Sequence, residues 1–241
     1  MVPIYFSIFV WIDINFYSIL VRNLVLFILI FFCLGCEKKQ KKQSYLALGD
    51  SYTIGEGVSN NDSWPMQLVK ALEEENILID KPKVIAKTGW TTGDLKKGID
   101  EAVLNYPYDW ISILIGVNNQ YQGKNIEVFK ADLEQLISQS ILFVGNKKNR
   151  LFVISIPDWG KMPFAKNQER EKIATEIDNY NQIIYEVCSR KEVGFIDITQ
   201  ISRTLDSNPH FIGSDSLYPS KSQYAKWVEE IIPFFINSSD D

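Results

Sequence analysis

The stretch YLALGDSYT, Tyr45 to Thr53, joins a short apolar run to a glycine, an aspartate and a serine. Later apolar runs, each rich in β-branched or aromatic residues, leave room for a helix between one run and the next. Because such runs are almost continuously apolar, they are typical of strands buried on both faces, and the alternation predicts a parallel sheet covered by helices. The further runs are KVIA (Lys83–Ala86), WISILI (Trp110–Ile115), LFVISI (Leu151–Ile156) and GFIDI (Gly194–Ile198).

The segments between these runs carry apolar residues on one helical face, which predicts helices packed on the sheet. In the first of them Ser63 is placed to cap the helix and Pro65 falls in its first turn. Cys188 belongs to one of the apolar faces, which indicates a buried apolar side chain rather than a nucleophile. No repeat or second domain is visible, so residues 44–241 are predicted to form one domain.

The N-terminal residues 1–36 are predicted to be a targeting segment. Arg22 precedes the apolar run LVLFILIFFCLG, which ends in a small residue before Cys36. The end of this run, CLGC, resembles a bacterial lipobox, which implies cleavage before Cys36 and lipidation of its thiol; an uncleaved signal anchor is the alternative. Residues 37–43 are charged and predict a flexible tether. The expected location is the bacterial cell envelope, with the domain anchored to the membrane outside the cytoplasm.

Composition excludes several classes of function. The formal net charge is −5, so no basic field exists to attract a nucleic acid, and we expect none to bind. The three cysteines have the spacing of neither a disulfide framework nor a zinc site, and His210 is the only histidine. No glycine-rich phosphate loop is present. We therefore expect no cofactor and no metal.

Polar residues follow three successive predicted strands. Ser51 follows the first strand, Gly89 the second and Asn118 the third. Ligands of open α/β sheets bind at the carboxyl ends of the strands, so these residues could direct hydrogen-bond donors at one oxyanion. Four aromatic residues of the same loops could line an apolar pocket or merely cover the edge of the core: Trp90, Tyr121, Trp159 and Phe164. Asp94 and Asp158 could contact a substrate, but solvated carboxylates are the safer expectation.

The blocks LGDSYT, KTGWTT, IGVNN and DSLYPS, taken in this order, resemble the four sequence blocks of the SGNH hydrolases, the GDSL esterase and lipase family. The resemblance extends from about Tyr45 to Phe235. It implies a three-layer α/β/α sandwich with a mostly parallel, five-stranded, flavodoxin-like sheet. It also implies that Ser51 is the nucleophile of an esterase that needs no cofactor.

By the same resemblance, an oxyanion hole is formed by the Ser51 N–H, the Gly89 N–H and the Asn118 side chain, and Asp215 orients the general base. Asn119 stands where many members have aspartate, and we expect this change to affect packing more than chemistry.

Tyr218 stands where the family has its catalytic histidine. A phenol with an ordinary pKa of about 10 is almost entirely protonated at neutral pH and is a poor general base. Three explanations remain open: His210 folds back to Ser51; cations such as Lys161, Arg203 and Lys221 stabilise a phenolate; or a single-base difference reflects a recent inactivating change or a sequencing error.

Two functions follow from the sequence. The first is a monomeric, membrane-anchored serine esterase that acts on lipid acyl groups or on acetyl groups of glycans. The second is an inactive family member that binds such ligands without turning them over.

Overall fold

The computed structural model describes residues 22–23, 41–205 and 208–238. The chain divides into two compact units, residues 1–41 and 42–241. In the first unit only Arg22, Asn23 and Lys41 are described, so the predictions made for the apolar run and for Cys36 lie outside the described residues. Within the described part of the chain, no helix is long and apolar enough to cross a membrane.

The second unit contains the predicted parallel sheet. Its strands are β1 (Tyr45–Gly49), β2 (Lys83–Ala86), β3 (Trp110–Leu114), β4 (Leu151–Ile154) and β5 (Gly194–Ile196). All neighbouring pairs are parallel, and the strand order is β2-β1-β3-β4-β5. The inner strand β1, which lies between β2 and β3, is fully buried, and Leu48 pairs with Ile85 on one side and with Ile113 on the other. The five-stranded parallel α/β fold is therefore confirmed.

The strands β3, β4 and β5 end one or two residues before the apolar runs that predicted them. At β4 the cause is local: the Ile156 N–H donates to the Asn181 side chain (2.7 Å) instead of to a neighbouring strand. The Ile198 N–H likewise donates to the Ser155 hydroxyl (2.8 Å). Buried side chains thus take over the backbone hydrogen bonds where the chain leaves the sheet, and apolar character alone overestimates the length of the strand.

Helices cover both faces of the sheet. They are, within the described residues, α1 (Ser51–Ile54), α2 (Trp64–Glu74), α3 (Thr92–Asp100), α4 (Val117–Tyr121), α5 (Ile126–Phe143), α6 (Arg170–Lys191), α7 (Thr199–Ser202) and α8 (Lys221–Ser238). Helix α2 packs against α8, whereas α5 packs against both α3 and α6. Fully buried tryptophans from the sheet and from the first pair of helices, Trp64, Trp110 and Trp227, form part of the core.

Two details of the helices qualify the sequence predictions. Ser63 occupies the N-cap position of α2, but its hydroxyl donates to the Asn60 carbonyl (2.8 Å) and makes no capping bond. Cys188 is 1% exposed, as expected of a core residue, and burial raises the pKa of its thiol to about 12. A thiol with that pKa is not a nucleophile at neutral pH.

Candidate active site

A cleft of about 180 Å³ opens at the carboxyl ends of β1, β2 and β3. Four of the five residues predicted to belong to the catalytic site line it: Ser51, Gly89, Asn118 and Tyr218. Asp215 is not among its lining residues. The position of the cleft follows from the topology, because the loops that leave neighbouring parallel strands meet at the same edge of the sheet.

Ser51 begins α1 directly after β1, and its neighbours make the turn tight. Asp50 caps the helix, its Oδ1 accepting the Tyr52 N–H (3.0 Å). At Gly49 an added Cβ would lie 2.1 Å from the Thr53 hydroxyl oxygen and 2.4 Å from the Leu114 carbonyl oxygen, so no larger residue fits. Ser51 itself is 3% exposed, and none of the hydrogen bonds within the described residues uses its N–H. This N–H is therefore free to bind an oxyanion.

The loops after β2 and β3 bring two further donors to the cleft. Gly89 has φ +84°, a conformation that favours glycine. Its carbonyl accepts the Gln122 side chain (3.3 Å), and the Trp90 carbonyl accepts the Asn118 side chain (3.0 Å). Since an amide group has two N–H bonds, Asn118 keeps one for a ligand.

Asn119 stabilises the loop between β2 and α3. Its Oδ1 accepts the Thr92 N–H (3.0 Å), and its Nδ2 donates to the Thr92 hydroxyl (2.9 Å). These bonds fix the start of α3 next to the cleft, in line with the packing role expected of this residue.

Tyr218 is partly buried at the cleft, and its ring lies edge-on to that of Tyr52, with centroids 5.8 Å apart. Burial raises the pKa of the phenol; a hydrogen bond with the Ser51 side chain lowers it, and the carboxylates of Glu56, Asp50 and Asp215 raise it further. The net direction is upward, so Tyr218 is a neutral phenol at physiological pH.

Asp215 holds the backbone of this segment. Its Oδ1 accepts the N–H groups of Leu217 (2.9 Å) and Tyr218 (2.8 Å). A histidine ring has two nitrogens, so it could donate one N–H to the carboxylate and still face Ser51, whereas the single hydroxyl of a phenol cannot serve both groups. Asp215 therefore positions residue 218 through its main chain.

Two of the open explanations for Tyr218 do not fit the structure. His210 is exposed, its ring packs against Phe211 with centroids 4.7 Å apart, and it does not line the cleft. Arg203 is paired with Asp158 (2.9 Å), and Lys221 with Asp62 (2.7 Å). The charged groups that act on the pKa of the Tyr218 phenol are carboxylates, and all of them raise it. The histidine hypothesis is therefore wrong, and the cation hypothesis loses two of its three candidates, Arg203 and Lys221.

The remaining wall of the cleft is aromatic. Tyr121 and Trp159 meet edge to face with ring centroids 5.3 Å apart, and Phe164 lies 6.3 Å from Trp159. The Trp159 indole N–H donates to Gln120 (2.8 Å), which fixes the ring. Trp90 does not line the cleft; it packs on Gly98, where an added Cβ would lie 2.2 Å from its ring. Three of the four loop aromatics thus form the wall, and the fourth covers α3.

The two aspartates expected to be solvated differ in their surroundings. Asp158 is fully buried; its Oδ1 accepts the Gly160 N–H (3.0 Å) and its Oδ2 accepts a bond from Arg203. Asp94 forms a capping box with Thr91 at the start of α3. For Asp158 the expectation of a solvated carboxylate is wrong. The side chain is buried, and the Arg203 guanidinium neutralises its charge.

The sequence analysis missed several residues of the cleft. Thr88, Val117 and Leu217 are immediate neighbours of Gly89, Asn118 and Tyr218, so the position after each strand could have indicated them. Glu56 does not directly follow a strand, so its place in the sequence did not indicate that it lies near the cleft. Its carboxylate accepts a hydrogen bond from the Thr88 hydroxyl at the rim of the cleft.

The carboxyl group of Asp50, the residue before Ser51, is fully buried. Its Oδ2 has no hydrogen-bond partner within the described residues. Burial raises the pKa of this carboxyl to about 7, against the lowering effect of the Tyr52 N–H.

We expect Asp50 to make the protein less stable as the pH rises from about 4 to about 7. An aspartate in an unfolded chain titrates near 3.9, so within this range the folded protein keeps a proton that the unfolded chain has lost. Raising the pH therefore lowers the free energy of unfolding, and Asp50→Asn should remove that part of the slope. Urea unfolding followed by circular dichroism across this pH range measures it.

The control is Asp62→Asn. Contacts with Lys221 and Ser59 lower the pKa of Asp62, so this change should alter the pH dependence in the opposite sense and below pH 4. An Asp50→Asn protein with the slope of the parent would contradict the prediction.

A serine next to free oxyanion donors, at the carboxyl edge of a parallel α/β sheet, defines a hydrolase of the serine type. The model of the GDSL-like Lipase/Acylhydrolase family matches residues 47–226. Because this match covers most of the chain, the protein belongs to that family. None of the curated proteins compared with the chain matches it.

Solved structures share the fold at low sequence identity. The esterase EstA from Pseudoalteromonas sp., inhibited by monoethylphosphonate, is 16% identical with a TM-score of 0.62, over 83% of this chain and 100% of that one. The lipase/acylhydrolase from Enterococcus faecalis is 22% identical with a TM-score of 0.61, over 79% and 94%. Axe2, an acetylxylan esterase from Geobacillus stearothermophilus, is 17% identical with a TM-score of 0.59, over 80% and 93%.

Proposed function

We propose that the protein is a serine esterase that hydrolyses carboxylic esters at Ser51. The observation that carries this proposal is the convergence of Ser51, Gly89 and Asn118 on one cleft, with the N–H of Ser51 unused by the fold. Family membership and the esterases among the structural relatives support the same reaction class.

The reaction begins with attack of the Ser51 oxygen on the ester carbonyl carbon. The carbonyl oxygen becomes an oxyanion, for which the Ser51 N–H, the Gly89 N–H and the free N–H of Asn118 are the donors. Loss of the alcohol leaves an acyl group on Ser51, and water then releases the carboxylic acid. The neutral phenol of Tyr218 makes turnover slow, because it accepts the serine proton poorly.

The wall of the cleft favours an apolar or small acyl group. Tyr121, Trp159 and Phe164 provide ring faces, and a volume of about 180 Å³ suits an acetyl group or a short acyl chain better than a long one. Acetyl groups of glycans and short acyl groups of lipids are thus the proposed substrates. The lipobox-like CLGC supports lipid attachment at Cys36 and a place in the bacterial envelope, and we propose that the protein acts there as a monomer without a cofactor.

The test is hydrolysis of p-nitrophenyl acetate by the purified protein. We expect turnover that is slow but above that of Ser51→Ala, because that change removes the nucleophile and leaves the fold intact. A fluorophosphonate probe should label the parent and not the variant. If parent and variant hydrolyse the ester at the same rate, the esterase proposal fails, and the protein is better described as a binder of ester ligands.

A further inference from the structure

We propose that Asn119 is a positioning residue for the oxyanion hole, and that the Asp132 carboxylate makes asparagine, rather than aspartate, the residue that fits at position 119. This inference rests on the proposed esterase function. It is carried by a chain of hydrogen bonds that runs from Asn119 through Thr92 to Asp132 and joins the helices α4, α3 and α5.

The direction of each bond in this chain follows from its donors. The Thr92 N–H can only donate, so the oxygen of the Asn119 amide faces it (3.0 Å) and the amide nitrogen faces the Thr92 hydroxyl (2.9 Å). The hydroxyl oxygen accepts that bond and keeps its own proton for Oδ2 of Asp132 (3.1 Å). The other oxygen of Asp132 pairs with the Lys96 ammonium group (2.9 Å). Every donor in the chain therefore meets an acceptor.

The first two members of the chain are shielded from water. Asn119 is 2% exposed and Thr92 is fully buried. The Thr92 N–H lies in the first turn of α3, where the helix itself offers no acceptor, so the Asn119 side chain supplies one. A substitution that breaks the chain would leave a buried donor or acceptor without a partner, and the loop would have to move to relieve it.

The chain also sets the separation of two oxyanion donors. Asn118, which directly precedes Asn119, donates one amide N–H to the Trp90 carbonyl (3.0 Å) and keeps the other for a ligand. The two asparagines thus hold the loop after β2 at two points, Trp90 and Thr92, immediately after Gly89. Because an oxyanion is stabilised by donors that are already in place when its charge develops, a loop held in this way keeps the Gly89 N–H and the Asn118 amide in register.

An aspartate at position 119 would reverse what is required of Thr92. One carboxylate oxygen could still accept the Thr92 N–H, but the other would face the hydroxyl oxygen and need its proton. The hydroxyl has a single proton, and the carboxylates at positions 119 and 132 would compete for it. Asp132→Asn would remove the conflict, because an amide nitrogen at position 132 can donate to the Thr92 oxygen while the hydroxyl donates to position 119.

The experiment is a four-protein cycle on the full chain: the parent, Asn119→Asp, Asp132→Asn and the double variant, each assayed with p-nitrophenyl acetate. Asn119→Asp should lower kcat by about 10- to 100-fold and leave KM nearly unchanged, because displaced donors weaken binding of the transition state more than binding of the ester. Asp132→Asn alone should change kcat by less than about 3-fold, and the double variant should return to within about 3-fold of the parent. A double variant as slow as Asn119→Asp, or an Asn119→Asp protein as fast as the parent, would overturn the proposal.

Urea unfolding of the same four proteins tests the hydrogen-bond chain apart from the esterase function. Asn119→Asp should lower the urea midpoint by about 1 M, and adding Asp132→Asn should restore most of that loss, whether or not the protein turns over an ester. The matched control is Tyr45→Phe, which removes a buried hydrogen bond to Ser112 (2.7 Å) at the amino end of β1. This control should lower the midpoint without lowering kcat.

The two proposals fail in different ways. If the parent does not exceed Ser51→Ala, the esterase function fails, and the oxyanion role of Asn119 fails with it. If the parent exceeds Ser51→Ala but Asp132→Asn does not rescue kcat in the Asn119→Asp protein, the esterase function stands and the role of Asn119 alone is wrong.

Discussion

Replacing Tyr218 with histidine should raise kcat/KM for p-nitrophenyl acetate by on the order of 10³-fold. An imidazole with a pKa near 6.5 accepts a proton from serine at neutral pH, whereas the phenol does not. Loss of one member of a catalytic triad lowers kcat by about 10⁴ to 10⁶ in serine proteases, so a gain of this size on restoring a histidine lies within the known effect of a triad member. Steady-state kinetics of the parent and of Tyr218→His, at one pH and one protein concentration, measure the change.

The surroundings of residue 218 are suited to a histidine. Asp215 already holds the backbone N–H of this residue, and its second oxygen lies against Gly57, where an added Cβ would be 2.6 Å away. That oxygen is the group to which an imidazole N–H could donate. Tyr218→Phe is the control, because it removes the phenolic oxygen without supplying a base and should give no gain. A folded Tyr218→His protein with the activity of the parent would show that the cleft does not hold an ester productively.

Replacing Arg203 with leucine should lower the free energy of unfolding by about 3 kcal/mol or more. Asp158 is fully buried, and Arg203 donates to it (2.9 Å) and to Asp178 (2.8 Å). Removal of one partner leaves a buried charge without compensation, which typically costs about 3 to 5 kcal/mol. Urea unfolding at 25 °C and neutral pH, with two-state behaviour checked by two probes, measures the difference.

The matched control is Arg190→Leu. Arg190 also pairs with a carboxylate, that of Glu134, but both side chains are well exposed, at 52% and 37%. Solvent screens such a pair, so its loss should cost less than about 1 kcal/mol. Equal effects of the two substitutions would mean that the burial of Asp158 is not what makes its ion pair important. The Asp158–Arg203 ion pair also adjoins the cleft, because Trp159, which lines the cleft, directly follows Asp158.

Much of the site could be predicted from local sequence. Ser51, Gly89 and Asn118 each follow a strand, and the strands themselves are legible as apolar runs because a buried parallel strand has to be apolar on both faces. The structure places the three residues in one cleft for this reason. The position of Tyr218 in its block likewise indicated that it lies at the site, and the structure places it in the same cleft.

Contacts between residues far apart in the chain could not be predicted from the sequence. The Thr88 hydroxyl and the Glu56 carboxylate are 32 residues apart in the chain, and Arg203 and Asp158 are 45 apart. Nothing in the neighbouring residues of Asp158 distinguishes a buried ion pair from a solvated carboxylate. His210 was a candidate general base because it lies close to Asp215 in sequence, yet in the structure its ring packs against Phe211.

The sequence by itself determined the strands, the apolar helix faces and the positions of Ser51, Gly89 and Asn118 at the strand ends, since these depend on residue type and on near neighbours in the chain. The tertiary structure alone decided the strand order, the burial of Asp158, the main-chain role of Asp215 and the approach of Glu56 to the cleft. The physical reason is that charge pairing and side-chain direction depend on distances in space, and those are set only when the helices close over the sheet.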